Sequence, residues 1–237
     1  MKDFKSLCLI LSFLSLNIMN SQKIDYKTLL GMEHPNLVGD TIQLEKNTFI
    51  AFEKMRKAAL KDGIKIKIVS GFRDFDRQKL IWNSKFKKFI KEYNLSEIEA
   101  IKEIIRFSTI PGTSRHHWGT EIDVIDEDFK NEKNPLISDK YENGGVFHKL
   151  KKWMDMNANK YGFHLTYDNE PGRKGFEYEP WHYSYLPESK RYLKSFLKIN
   201  IVEIISKVDI EGKELFNEKF ISDYINNNIL EINPNLK

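Results

Sequence analysis

The 237-residue chain contains one cysteine, Cys8, and it falls in an apolar leader. Beyond that leader the chain has no means of forming a disulfide, a cysteine nucleophile or a thiolate metal site, so any metal must be held by histidine and carboxylate. Long apolar runs are also scarce. The longest, Leu7 to Leu16, is too short for a convincing membrane span. Charge of one sign is lacking too: 38 basic residues face 34 acidic ones, a net +4, and the lysines are dispersed along the chain. Nucleic-acid binding would want a concentrated basic patch, so no nucleic-acid partner is expected. Repeats and low-complexity tracts are absent, and the length suits one domain with a real core, with or without an appendage.

What is present begins with "MKDFKSLCLILSFLSLNIMNSQ": Lys2 and Lys5, an apolar run, then small polar residues near Ser21. This pattern predicts a secretory signal peptide over residues 1–21 and export to the periplasm or the extracellular cell-wall space, with no stable membrane span after cleavage. Cys8 lies early in the run rather than at its end, which argues against a lipid anchor.

Periodicity then sketches an α+β chain. Phe49, Phe52, Met55, Ala59 and Leu60 give residues 46–62 a helical face, and "IKIKIVSG" alternates isoleucine and lysine as a half-buried strand does. Residues 74–93 read as a helix, and Ser96-x-x-Glu99 is a capping box for another running to Phe107. "TEIDVI" alternates again, placing Glu121 and Asp123 on one strand face with Ile122 and Val124 opposite. A polar loop over 126–145, a helix over 147–161 and two strand-like stretches, "FHLTY" and "FEYEPWHYSYL", complete this part. The pattern predicts a small, mainly antiparallel sheet flanked by helices. Residues 189–237 read as a helical C-terminal extension, leaving 22–188 as the expected catalytic domain.

The chemistry concentrates in "SRHHWGTEID", residues 114–123. A catalytic zinc site takes three nitrogen or oxygen ligands and keeps one position open. His116, His117, Glu121 and Asp123 are the local candidates, and spacing alone does not choose between the two histidines. Another ligand must come from elsewhere, and "EPWH", Glu179 to His182, is the best source. The H-E-x-x-H helix of many zinc peptidases is absent, and Pro180 keeps the tetrapeptide out of a helix interior.

Three blocks together carry a resemblance. Ser114-x-His116-x-x-Gly119-x-x-x-Asp123, Glu179-Pro180-Trp181-His182 and "SGFRDFDRQ" (Ser70 to Gln78) resemble, in order, the motifs of the VanY-type zinc D-Ala-D-Ala carboxypeptidases. That group shares a fold with lysostaphin and the Hedgehog signalling domain. The resemblance implies one zinc ion per chain held by His116, Asp123 and His182. It also implies Glu179 as the general base acting on zinc-activated water and Arg73 as the group stabilising the oxyanion. Ser70, Gln78 and Ser114 become expected substrate contacts, and His117 a packing or hydrogen-bonding neighbour. The implied substrate is the peptidoglycan stem peptide, cut at its terminal D-Ala-D-Ala bond. An L,D-carboxypeptidase or a wall endopeptidase is the nearest rival, and a non-catalytic zinc-containing wall-binding module the rival from another class. Retention of both Glu179 and Arg73 argues against the last. Three positions depart from the family pattern: Glu121 stands where a small residue is usual, and Thr166 and Ser184 stand where relatives often carry arginine. From its strand face, Glu121 is expected to approach the zinc shell or to pair with Arg73 or Arg115.

Overall fold

The computed structural model describes residues 24–237, and the expected leader, residues 1–21, lies outside the described residues. A one-turn helix α1 (Tyr26–Leu29) precedes a two-stranded ribbon, β1 (Leu37–Val38) and β2 (Leu44–Glu45), which runs directly into α2 (Lys46–Lys61). Glu45 caps that helix by accepting from the Thr48 N–H at 2.9 Å, and its inner face buries Phe52, Met55 and Ala59. The isoleucine–lysine alternation becomes β3 (Ile66–Ser70). Asp74 then caps α3 (Phe75–Tyr93), accepting from the Arg77 N–H at 2.6 Å. The Ser96/Glu99 capping box opens α4 (Glu97–Ile104), which ends before Phe107. There follow β4 (Glu121–Asp126), α5 (His148–Asn157), β5 (Phe163–Leu165) and β6 (His182–Tyr185), then α6 (Leu186–Phe196), α7 (Ile201–Lys207) and α8 (Glu218–Tyr224).

The main sheet has the order β3-β4-β6-β5, with every neighbouring pair antiparallel. The α+β expectation of a small antiparallel sheet flanked by helices therefore holds. All six residues of β4 are buried, because both of its faces are covered. Ile122 and Val124 join Met55 of α2, Trp153 of α5 and Phe163 in one apolar cluster. Glu121 and Asp123 alternate with them onto the other face. Along β3, Ile68 pairs with Val124 and Ser70 with Asp123, so Val69 is an extra residue. This β-bulge re-aims the end of β3 toward Asp123.

Two departures concern the last third of the chain. Of the expected strand over 176–186, only β6 is extended. Glu179 to His182 form a tight turn instead, closed by the His182 N–H on the Glu179 carbonyl at 3.0 Å, with Pro180 at the second position, where its fixed φ suits a turn. The helices after residue 188 are helical as expected, and they are not laid on from outside. α6 itself runs across that position. Tyr192, Leu193, Phe196, Ile205, Ile221, Tyr224 and Leu236 share one core cluster with Trp82, Ile101 and Trp118.

Candidate active site

His116 sits in a short 3-10 turn, Arg115–Trp118, that ends at Gly119 with φ +68°. The left-handed conformation favours glycine, and a Cβ at this position would lie 2.7 Å from the Glu45 nitrogen. The turn is thus pinned against the start of α2, where the Glu45 N–H donates to the Gly119 carbonyl at 2.9 Å. His116 Nδ1 donates to the Gly71 carbonyl at 2.7 Å, which leaves Nε2 as the bare nitrogen, 3.4 Å from Asp123 Oδ2. Gly71 serves this contact by its lack of a side chain, since a Cβ there would lie 2.7 Å from the Gln43 carbonyl.

Asp123 and His182 are directly opposed across the β4–β6 pairing. His182 Nδ1 lies 3.6 Å from Asp123 Oδ1, and one donor atom from each of His116, Asp123 and His182 falls within 4.8 Å of the others. Asp123 Oδ1 is buried without a hydrogen-bond partner among the described residues. A carboxylate set between two imidazoles, with one oxygen lacking a hydrogen bond, fits a cation. The electrostatics agree. Burial pushes the Asp123 carboxyl up to about 6, against the pull of His182. Burial works against charge on His182, yet the carboxylates of Glu121 and Glu179 push its imidazolium up to about 10. Burial, with Arg73 and His182 nearby, holds His116 well below the ordinary histidine range. A divalent cation would replace the protons this cluster otherwise shares.

A cleft of about 690 Å³ opens over the cluster. Arg73, Ser114, His116, Asp123, Glu179 and His182 all face it, with Phe107, Ile137, Phe176 and Trp181 as apolar wall. Glu179 is brought to His182 by the turn between them, its Oε2 2.9 Å from His182 Nδ1. Arg73 is held by neutral partners: Nη1 donates to Gln78 Oε1 at 2.9 Å and Nη2 to Ser70 Oγ at 3.0 Å. Of the three expected substrate contacts, then, only Ser114 lines the cleft. Gln78 is fully buried, its amide nitrogen donating to the Thr109 carbonyl at 2.8 Å, and with Ser70 it braces Arg73. Lys85 also lines the cleft and was missed by sequence reasoning. Its spacing from Gln78 and Ile81 on one face of α3 was the available signal.

His117 packs and hydrogen-bonds rather than facing the cluster. Its Nδ1 donates to the Arg73 carbonyl at 2.6 Å and its Nε2 accepts from the Gly112 N–H at 3.1 Å, so both nitrogens are used. Burial brings its pKa down to about 4, and the ring is neutral. Glu121 pairs with Arg115, Nη2 to Oε1 at 3.1 Å, and not with Arg73. The three departures from the family pattern meet here, because Thr166 Oγ1 and Ser184 Oγ both donate to Glu121, at 3.1 and 2.6 Å.

Two imidazoles, one carboxylate, a neighbouring glutamate and an arginine around one cleft are the components of a single-metal hydrolytic centre. The family model for VanY, D-alanyl-D-alanine carboxypeptidase, matches residues 41–188, more than half of the chain, and the chain belongs to that family. A D-alanyl-D-alanine carboxypeptidase of Enterococcus faecium is 31% identical over 157 residues, covering 65% of this chain and 41% of the relative. The chain spans about half the length of the curated relatives it matches. Among solved structures, a zinc complex of the vancomycin resistance D,D-pentapeptidase VanY aligns with a TM-score of 0.52 at 20% identity, over 68% of this chain and 84% of that one. VanYB in complex with D-alanine-D-alanine aligns with a TM-score of 0.53 at 19% identity, over 75% and 91%. These two likenesses show the fold.

Proposed function

We propose that the chain is an exported zinc D,D-carboxypeptidase that removes the terminal D-alanine from peptidoglycan stem peptides. The observation that carries the proposal is the buried His116–Asp123–His182 cluster, with its orphaned Asp123 oxygen, on the same cleft as Glu179 and Arg73. Family membership, a relative named for this activity and a fold shared with a D-Ala-D-Ala complex support it.

His116, Asp123 and His182 would hold the ion. When bound, zinc supplies a Lewis acid that acidifies water and polarises the scissile carbonyl. Glu179 would accept the proton of the attacking water and deliver it to the departing D-alanine amine. Arg73, fixed by Gln78 and Ser70, presents its guanidinium to the negative charge that develops on the carbonyl oxygen. Ser114, on the cleft wall, is placed to bind the peptide.

The test is incubation of the purified protein with defined pentapeptide and tetrapeptide stems and identification of products by mass. Loss of one D-alanine from the pentapeptide, abolished by a chelator and restored by zinc, is expected. Release of the fourth residue from the tetrapeptide would make it an L,D-carboxypeptidase, internal cleavage an endopeptidase, and full activity in excess chelator would remove zinc from the account.

A further inference from the structure

Glu121 is completely buried and does not line the cleft, yet it gathers four hydrogen-bond partners and one ion-pair partner on two oxygens. Oε1 accepts from Thr120 Oγ1 at 3.1 Å and Ser184 Oγ at 2.6 Å, and is ion-paired with Arg115 Nη2 at 3.1 Å. Oε2 accepts from Thr166 Oγ1 at 3.1 Å and from His182 Nε2 at 2.9 Å. The sheet register makes this arrangement unavoidable. Glu121 opposes Ser184 one step along from the place where Asp123 opposes His182, and residues two apart on β4 share a face. Arg115 supplies the balancing charge, is itself buried, and stacks over Trp118 at 4.8 Å.

An ionised carboxylate only accepts hydrogen bonds, so the nitrogen facing it must carry the proton. Nε2 of His182, which faces Glu121, is therefore an N–H nitrogen, while Nδ1 faces Glu179 at 2.9 Å and Asp123 at 3.6 Å, both on the cleft, where a metal ion would take the place of the proton Nδ1 shares with them. Three hydroxyl donors and the Arg115 ion pair hold Glu121 in this orientation, and with it the rotation of the His182 ring.

We propose that Glu121 is a positioning residue, which fixes the tautomer and rotation of His182 so that Nδ1 is presented to the metal. The proposal rests on the reading that His116, Asp123 and His182 hold zinc. Carboxylates behind a ligating histidine orient the ring and raise its basicity, and losing one commonly costs about 10- to 100-fold in metal affinity.

The decisive variant is Glu121→Gln, which keeps the shape and removes the charge. Zinc affinity, measured on metal-stripped protein by competition with a chromophoric chelator, should fall by about 10- to 100-fold. The visible spectrum of the cobalt-substituted protein should change alongside it. Ser184→Ala, which removes one donor to Glu121 while leaving the bond to His182, should keep wild-type zinc affinity. Unchanged affinity in Glu121→Gln, with only the melting temperature of the metal-free protein lowered, would make Glu121 a structural tie between strands and overturn the proposal. Equal losses in Ser184→Ala would overturn it too, by assigning the effect to general loosening. Should the Gln variant not fold, nitrogen NMR of the zinc-loaded wild type decides: His182 must show a protonated Nε2 and a metal-bound Nδ1, and the reverse assignment sinks the idea. A wild-type chain that takes up no zinc would instead defeat the functional reading itself.

Discussion

His182 stands between two glutamates: Nδ1 is 2.9 Å from Glu179 Oε2, and Nε2 is 2.9 Å from Glu121 Oε2. The two carboxylates differ in what else they touch. Glu179 opens onto the cleft, whereas Glu121 is sealed behind the ring by protein donors. Only the first lines the cleft, so on the proposed function proton transfer and metal holding should separate by mutation. Glu179→Gln should retain zinc and substrate binding and lose about 10²- to 10⁴-fold in kcat. His182→Ala should lose metal and activity together. Metal analysis beside steady-state rates checks both, and a Gln variant stripped of zinc would make Glu179 a ligand.

Arg73 offers a second kinetic test. Its two terminal nitrogens are each held by one bond, Nη1 on Gln78 and Nη2 on Ser70. Lysine, a compact point charge, cannot reproduce this planar fork with its donors on separate nitrogens. Arg73→Lys should lower kcat by about 10²-fold or more with little change in KM, the signature of a contact made in the transition state. A change confined to KM would make the guanidinium an anchor for the ground-state substrate.

Acid sensitivity should trace in part to His34. Its ring lies against Phe72 and Tyr192 at 5.5 and 6.0 Å between centroids, Nε2 donates to the Trp118 carbonyl at 2.9 Å, and Nδ1 is buried without a partner among the described residues. Burial lowers its pKa below the ordinary histidine value. Below about pH 6.5 the unfolded chain takes up a proton that the folded chain still refuses, so stability falls as pH drops through that window and the effect vanishes above it. His34→Gln should lose less stability than wild type between about pH 7.5 and about pH 5, read from urea midpoints. Equal losses would clear His34.

The C-terminal helices give a fourth prediction. The Tyr224 hydroxyl accepts from the Ile110 N–H at 3.0 Å and meets Thr113 Oγ1 at 2.8 Å, bracing the segment that leads into Ser114 and His116. A chain ending at residue 188 would break α6 in its first turn and uncover Trp82, Ile101 and Trp118. We expect it to be insoluble or to lack fixed tertiary structure by near-ultraviolet circular dichroism. Tyr224→Phe, a milder change, should cost about 1–3 kcal/mol by stranding the Ile110 N–H. A soluble, zinc-binding fragment of residues 22–188 would make the helices an appendage.

How far the sequence could be read depended on the range of the interaction. Ser96 was legible as a helix cap because a capping box is complete within a few residues. His116, Asp123, His182 and Glu179 were legible through a family resemblance carried by short local blocks, since spacing alone leaves His116 and His117 equal. Gln78 was not: its side chain meets Arg73 on one side and the Thr109 carbonyl on the other, and the second contact depends on how α3 packs. Glu121 was flagged with several possible partners, and only the β4–β6 register selects Ser184 and His182 among them. The packing of residues 189–237 was hidden for a different reason. An amphipathic face announces that it will be covered without naming what covers it.

Asp123 and His182 are opposite members of one cross-strand pair, and His116 enters from the turn just before β4. An ion held by all three would act as a fastener between adjacent strands at the centre of the sheet. Its free energy of binding would then be folding free energy as well, about 4 kcal/mol at a thousandfold excess over the dissociation constant. Stripping the metal should accordingly lower the melting temperature and speed amide exchange in β4 and β6 first. A chelator would disarm such an enzyme twice, taking its chemistry at once and its resistance to unfolding and proteolysis soon after.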